Sequence, residues 1–290
     1  MQSISFVKMQ ATGNDFVLIH THDMDQDWSE LARAMCQRHF GIGSDGLLLV
    51  SSSHVADCSL HMFNPDGSEA EACGNGIRCV AKYVIDEGQV NLQHKQLAIE
   101  TIAGIRRVDP LTVDGKVDQV QVRMGKPHFN PEEIPLSISH KNRGNGPITD
   151  YPISISDGEL ALTFISMGNP HAVCFSETSV SEFPLKKVGP SVEHHHLFPQ
   201  RTNFELANVL NRREIEARVW ERGVGETLSC GTGACAIAVA AQLHNYVDRE
   251  VDILLPGGTL TIDWDGDGTG EVMLSGPVRT VYAGEWVICP

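Results

Sequence analysis

No run of lysine or arginine interrupts the 290 residues, and 37 acidic side chains against 22 basic ones leave a formal net charge of −15. A partner held through a phosphate backbone is therefore disfavoured, and no nucleic acid is expected. Long apolar runs are missing too. The longest, Ala234 to Ala241, falls well short of the ~20 residues that cross a bilayer. Met1 to Lys8 has no apolar stretch of the secretion-signal kind, so the expectation is a cytoplasmic protein with no membrane partner. Neither Gly-x-Gly segment follows a clean strand-to-helix dinucleotide pattern, and nothing suggests pyridoxal phosphate or a flavin.

Cysteine is not scarce, but its context rules out its commonest uses. Eight cysteines in a chain without a secretion signal are expected to be free thiols. Cys36, Cys58, Cys174 and Cys289 lie beside apolar neighbours and read as small buried hydrophobes. Cys79 and Cys235 fall inside predicted helices, which disfavours zinc held with Cys73 and Cys230, so no metal is expected. Only Cys73 and Cys230 stand at helix starts.

Those two open the same pattern, Cys73-Gly74-Asn75-Gly76 and Cys230-Gly231-Thr232-Gly233, each followed by apolar residues at helical spacing. The copies extend upstream, from Asn64 to Cys73 and from Glu221 to Cys230, with Glu69 and Glu226 at equivalent places. Gly13-Asn14 and Gly168-Asn169 are offset by 155 residues, against 157 for the cysteines. This is an internal repeat of half the chain.

Strand patterns cover Ile4 to Met9, Phe16 to His20, Leu47 to Ser51 and Ser59 to Phe63, with a helix over Trp28 to His39 that Asp27 and Glu30 open as a capping box. The first motif helix runs from Gly74 to Asp86, with Ile77, Val80, Ala81 and Val84 on one face. Strands at 97–101, 105–109 and 117–122 follow, with Asp114-Gly115 as a hairpin turn. A Pro-, Asn- and Gly-rich stretch from about Pro127 to Asp150 marks the crossover. Strands then recur at 153–156, 160–166, 171–175, 202–209 and 215–220, a second motif helix at Thr232 to His244, and strands at 251–255, 259–264 and 271–275. The expectation is one helix-bearing β unit, duplicated: residues 1–126 with 277–290 returning to the first domain, and 127–276 as the second.

A thiol at a helix N-terminus sits where unpaired N–H groups and the helix dipole favour an anion, which predicts stabilised thiolates at Cys73 and Cys230. The adjoining N–H groups would hold a carboxylate, placing its α-carbon by the sulfur. Two pseudo-symmetric thiols can then act on opposite faces. One removes the α-proton, the other delivers a proton, and the stereocentre inverts. The same pair could instead be oxidised to a disulfide, which would be an inactive form.

With these motifs in order, the chain resembles the diaminopimelate epimerases over nearly its whole length. The segments that carry the likeness include Gly13-Asn14-Asp15-Phe16, Phe63-Asn64-x-Asp66-Gly67-Ser68, Cys73-Gly74-Asn75-Gly76-x-Arg78-Cys79, Met167-Gly168-Asn169-Pro170-His171, Glu221-Arg222-Gly223 and Cys230-Gly231-Thr232-Gly233. The resemblance implies an α+β fold of two pseudo-symmetric domains, each a curved, mostly antiparallel sheet or barrel around a central helix, with the active site in the cleft between them. It implies cofactor-independent interconversion of LL- and meso-2,6-diaminopimelate, for lysine and peptidoglycan precursors. It also implies Cys73 and Cys230 as acid and base, and His171 and Glu221 as residues tuning the thiols. N–H groups at Gly74, Asn75, Gly231 and Thr232 would hold the reacting carboxylate. Asn14, Asn64, Asn169, Asn203, Glu221 and Arg222 would complete the substrate pocket, and Tyr282 a homodimer contact.

Each residue also has a plainer reading. Asn14 and Asn64 could cap local turns, His171 could be a packed core histidine, Glu221-Arg222 an exposed ion pair, and His194-His195-His196 a solvated helix end. Two departures stand out: Gly46 replaces a glutamine that contacts substrate in some family members, and Thr232 stands where serine is also common. The rivals are a proline-type racemase of the same architecture and a redox or metal-dependent interaction protein. A cyclic amino acid has no distal ammonium and carboxylate to engage Glu221 and Arg222.

Overall fold

A computed structural model describes residues 2–70, 73–90, 96–138, 146–156, 158–266 and 270–288. The chain forms two compact units, Met1–Val122 with Ser275–Pro290, and Arg123–Leu274. These boundaries lie a few residues from the expected 126/127 and 276/277.

In the first unit β1 (Gln2–Ala11) and β2 (Asn14–His20) form a hairpin, and α1 (Trp28–Cys36) crosses over to β3 (Gly46–Ser51). Strands β2 and β3 run parallel, which such a crossover permits. β4 (Cys58–Phe63) pairs antiparallel with β3 and with the short β5 (Glu69–Ala70), then α2 (Gly74–Asp86) leads to β6 (Leu97–Thr101), parallel to β4. β7 (Gly104–Val113) and β8 (Lys116–Arg123) continue antiparallel. Leu47, Leu48, Leu49 and Val50 are all buried, the near-continuous apolar run of a strand covered on both faces.

The second unit repeats this order. β9 (Ile148–Ile155), β10 (Gly158–Ser166) and β11 (Pro170–Phe175) are antiparallel neighbours; α3 (Leu185–Glu193) crosses to β12 (Asn203–Asn211), parallel to β11. β13 (Glu214–Glu221) and β14 (Gly225–Thr227) precede α4 (Gly231–Leu243), which leads to β15 (Glu250–Leu255), parallel to β13, then β16 (Gly258–Asp263) and β17 (Met273–Pro277). β18 (Arg279–Ile288) pairs antiparallel with β1.

Each core is a sheet wrapped on its motif helix. Helix α4 is apolar all round, and Ala234 to Ala241 are all fully buried, as expected of a helix enclosed by strands. Ile77, Val80, Ala81 and Val84 of α2 are buried as the spacing predicts. Both leading hairpins turn on a glycine in the left-handed region, Gly13 at φ +82° and Gly168 at φ +89°.

The sequence pattern erred in particular places. Helix α1 ends at Cys36 rather than His39, because Gln37 is already extended. Of helix α3 the pattern marks only the solvated end at His194, not the span Leu185–Glu193, although the repeat required a counterpart to α1. Cys36, Cys58, Cys79, Cys174 and Cys235 are buried free thiols; Cys289 lies outside the described residues. Burial pushes Cys174 up to about 11 and Cys58 to about 12, as apolar surroundings should.

Candidate active site

Each motif cysteine is the N-cap of its helix, with its sulfur accepting from the backbone N–H three residues on: Gly76 to Cys73 at 3.3 Å, Gly233 to Cys230 at 3.4 Å. This is the role serine or aspartate usually takes. The preceding N–H groups, at Gly74, Asn75, Gly231 and Thr232, point out of the helix start without intrahelical acceptors and are suited to an anion. Space is tight at the third residue after each cysteine, whereas a Cβ at Gly74 would meet nothing within 4 Å. A Cβ at Gly233 would stand 3.1 Å from Glu205 Oε1 and 3.3 Å from Cys230 Sγ, and one at Gly76 would stand 3.2 Å from Leu48 Cδ2.

The expectation of stabilised thiolates is corrected here. Burial pushes the Cys73 thiol up, against the opposing pull of Gly76 N–H and the Arg78 guanidinium. Burial likewise pushes Cys230 well above its ordinary value, and Glu221 adds to the rise while Thr232 and Gly233 oppose it. At partly buried Cys73 as at buried Cys230, desolvation of the anion outweighs one helix end. The two environments differ in sign: the Arg78 cation stands by Cys73, the Glu221 carboxylate by Cys230.

Arg78 is completely buried, donates to Thr12 Oγ1 at 3.0 Å, and leaves Nε and Nη1 without hydrogen-bond partners among the described residues. An unpaired buried cation is costly, so its retention beside Cys73 calls for a purpose. Arg78→Met is expected to keep or raise the melting temperature while slowing alkylation of Cys73 about tenfold at a pH below its titration, one unit of thiol pKa. Unchanged alkylation of Cys73 would remove the electrostatic link.

In the first unit, Asn75 Nδ2 donates to Asn14 Oδ1 at 3.2 Å, and Asn14 Nδ2 to Asp45 Oδ2 at 2.8 Å. The structure thus joins Asn14 and Asn75 at the mouth of α2. Asn64 stays local: its amide donates to Ser68 Oγ at 3.0 Å within the turn before β5. Gly46 opens β3 opposite Phe16. Tyr282 lies elsewhere, on β18, half-exposed and edge-on to Phe6.

In the second unit, Asn169, His171, Thr232 and Cys230 form one hydrogen-bonded chain. His171, fully buried, meets Asn169 Oδ1 through Nε2 at 2.9 Å; Asn169 Nδ2 donates to Thr232 Oγ1 at 3.3 Å; Thr232 Oγ1 lies 3.5 Å from Cys230 Sγ. Buried Asn203 donates to Pro170 O at 2.8 Å and accepts the Arg222 backbone N–H at 2.9 Å, so it fixes the chain at Arg222. The Arg222 side chain is exposed. It donates to Gln200 O at 3.3 Å, and no carboxylate among the described residues pairs with it. Glu221 does not pair with Arg222; it accepts from Thr227 Oγ1 at 2.6 Å and acts electrostatically on Cys230. His194 caps α3, its Nδ1 3.0 Å from Pro190 O.

Three participants escaped the sequence reading: Arg78, Asp45 and Glu205. Glu205 had a signal, since it is the one acid among Phe204, Leu206 and Ala207 in a strand buried throughout that stretch.

A family model described as diaminopimelate epimerase matches residues 6–130 and 163–281. Curated relatives of that name include one from Moorella thermoacetica, 47% identical over 97% of this chain and 98% of its own, and one from Acetivibrio thermocellus, 45% identical over 97% of each. Among solved structures, a Bacillus anthracis phenazine biosynthesis protein of the PhzF family superposes with a TM-score of 0.70 at 17% identity, covering 99% of this chain and 100% of that one. A hydroxyproline epimerase from Agrobacterium vitis gives 0.65 at 14%, over 99% and 91%. At such identities these structures establish the fold alone.

Proposed function

Because the chain belongs to the diaminopimelate epimerase family, we propose that it interconverts LL- and meso-2,6-diaminopimelate, with Cys73 and Cys230 as the two proton-exchanging groups and no cofactor. The observation that carries this reading is the pair of thiols, each capping a glycine-opened helix in one copy of a duplicated unit. In one direction a thiolate takes the α-proton and the other thiol gives its proton to the opposite face of the carbanion. The substrate leaves inverted and the two sulfurs have exchanged protonation states, so the enzyme is poised for the reverse reaction.

The N–H groups of Gly74, Asn75, Gly231 and Thr232 bind the α-carboxylate and stabilise the charge that spreads onto it. Asn14, Asn64, Asn169 and Asn203 contribute amides to the pocket. Arg222 offers a planar fork to the distal carboxylate, and Glu221 an acceptor to the distal ammonium. This division favours an acyclic substrate with two charged ends over a cyclic amino acid. Since both thiols are pushed up by burial, the thiolate forms in the presence of substrate or through its neighbours, with His171 and Glu221 as the tuning groups. Tyr282, half-exposed on β18, is proposed as a homodimer contact, and the protein as cytoplasmic; no helix among the described residues is long and apolar enough to cross a membrane.

The test is proton NMR of LL-diaminopimelate with the reduced protein in deuterated buffer, with chelator and without added cofactor. Loss of one α-proton signal together with growth of the meso isomer is expected. Absence of exchange by folded, fully reduced protein would redirect the search to other small α-amino acids.

A further inference from the structure

Glu205 on β12 is a fully buried carboxyl whose Oε1 lies 2.7 Å from His171 Nδ1 and whose Oε2 has no hydrogen-bond partner among the described residues. The duplication provides an internal control for it. In the first unit Phe16 pairs with Gly46, and in the second His171 pairs with Asn203, so the place of Glu205, two residues after Asn203, is held by Leu48. Steric surroundings agree: Leu48 is what a Cβ at Gly76 would meet, and Glu205 what a Cβ at Gly233 would meet. The fold is thus satisfied by Phe16 and Leu48 at the positions where the second unit buries a histidine and a glutamate. A structural requirement does not explain the polar pair.

The direction of the hydrogen bonds does. Asn169 Oδ1 can only accept, so His171 carries its hydrogen on Nε2. Asn169 Nδ2 donates to Thr232 Oγ1, which leaves the threonine hydrogen free for Cys230 Sγ. Every donor therefore points at the sulfur. In the first unit the corresponding amides run the other way, from Asn75 through Asn14 to Asp45, away from Cys73.

We propose that Glu205 is a positioning residue for the Cys230 thiol: by binding His171 Nδ1 it holds the ring with its hydrogen on Nε2 and so orients the donors of His171, Asn169 and Thr232 toward the sulfur. Its carboxyl does this as a neutral acid, donating from Oε1 to Nδ1. A bare Oε2 is tolerable on a neutral carboxyl and severely unfavourable on a buried anion. Burial pushes Glu205 up in the same sense, and Glu221 adds to the rise, against His171 and the Ala172 N–H. The inference rests on the proposed role of Cys230 in proton exchange, and its test reads the thiol without substrate, so the two can fail separately.

The reduced full-length chain is alkylated with iodoacetamide at a fixed pH of about 8, and the Cys230 and Cys73 peptides are quantified separately by mass spectrometry. Glu205→Leu, the residue the first unit carries there, is expected to slow alkylation of Cys230 about tenfold while Cys73 is unaffected, the loss of one oriented hydrogen bond to a thiolate. Glu205→Gln, whose amide can donate to Nδ1, is expected to restore a rate close to that of the unaltered chain. Thr232→Val should slow Cys230 as Glu205→Leu does, and the double variant should be no slower than either. Faster alkylation in Glu205→Leu would make Glu205 a repelling charge and overturn the proposal; so would an unchanged rate in that variant or in Thr232→Val, or additive losses in the double variant. Should Glu205→Leu not fold, Glu205→Gln and Thr232→Val decide: equal slowing in both overturns the neutral-donor role, and slowing in Thr232→Val alone supports it.

Discussion

Cys73→Ala and Cys230→Ala are each expected to reduce inversion of diaminopimelate by about a thousandfold or more, the scale of removing a positioned acid or base. Neither change should unfold the protein. Each sulfur accepts one N–H at a helix start, at 3.3 and 3.4 Å, and loss of such a cap costs about 1 kcal/mol. In the proposed two-thiol reaction each thiol serves one face of the α-carbon. Each variant is therefore expected to exchange the α-proton of one epimer with solvent without inverting it, and the two variants should act on opposite epimers. Proton NMR in deuterated buffer reads both quantities, with thermal melting as the control for folding. Inversion near the unaltered rate by either variant would leave no place for a two-thiol reaction, and identical epimer preference in both would contradict opposed faces.

Arg222→Met is expected to raise KM for diaminopimelate about a hundredfold, with a smaller effect on kcat, because a bidentate charge-assisted contact far from the reacting carbon binds ground and transition states alike. The side chain is exposed and, among the described residues, bonded only to Gln200 O at 3.3 Å, so stability should hardly change. Arg222→Lys should recover the loss only in part, since an ammonium supplies charge without the planar fork. Steady-state kinetics in both directions measures this. An unchanged KM would detach Arg222 from the distal carboxylate and reopen the case for a cyclic substrate.

The asymmetry between the thiols links these expectations. Arg78 stands by Cys73 and lowers the barrier to its ionisation, whereas burial and the neighbouring Glu221 raise that of Cys230. A chain of donors aimed at Cys230 is then the local means of offsetting its unfavourable surroundings. Unit one relies on a cation, unit two on oriented dipoles.

Much of the fold was legible because its signals are local. Helix α2 falls on Gly74–Asp86 as its spacing predicts, and Asp114 and Gly115, at φ +50° and +77°, form the expected hairpin turn. Helix α3 was hidden because Gly189 and Pro190 oppose helix locally; tertiary packing overrides them. Gly189 is there for Trp220, whose ring a Cβ would approach to 2.4 Å. The twofold repeat held the missing information, since a parallel β11 and β12 need a crossover as β2 and β3 do.

The sequence by itself determined the repeat, the two capping cysteines and the family likeness, because a turn glycine, a cap residue and an apolar helix face are specified by neighbours along the chain. Only the tertiary structure decided the state and the surroundings of the thiols. Burial reverses the effect of the helix ends on both sulfurs, and Asp45 and Glu205 reach their sites from strands and turns far from the cysteine motifs along the chain. Desolvation and hydrogen-bond direction depend on everything packed around an atom, and strands distant in sequence bring that packing together.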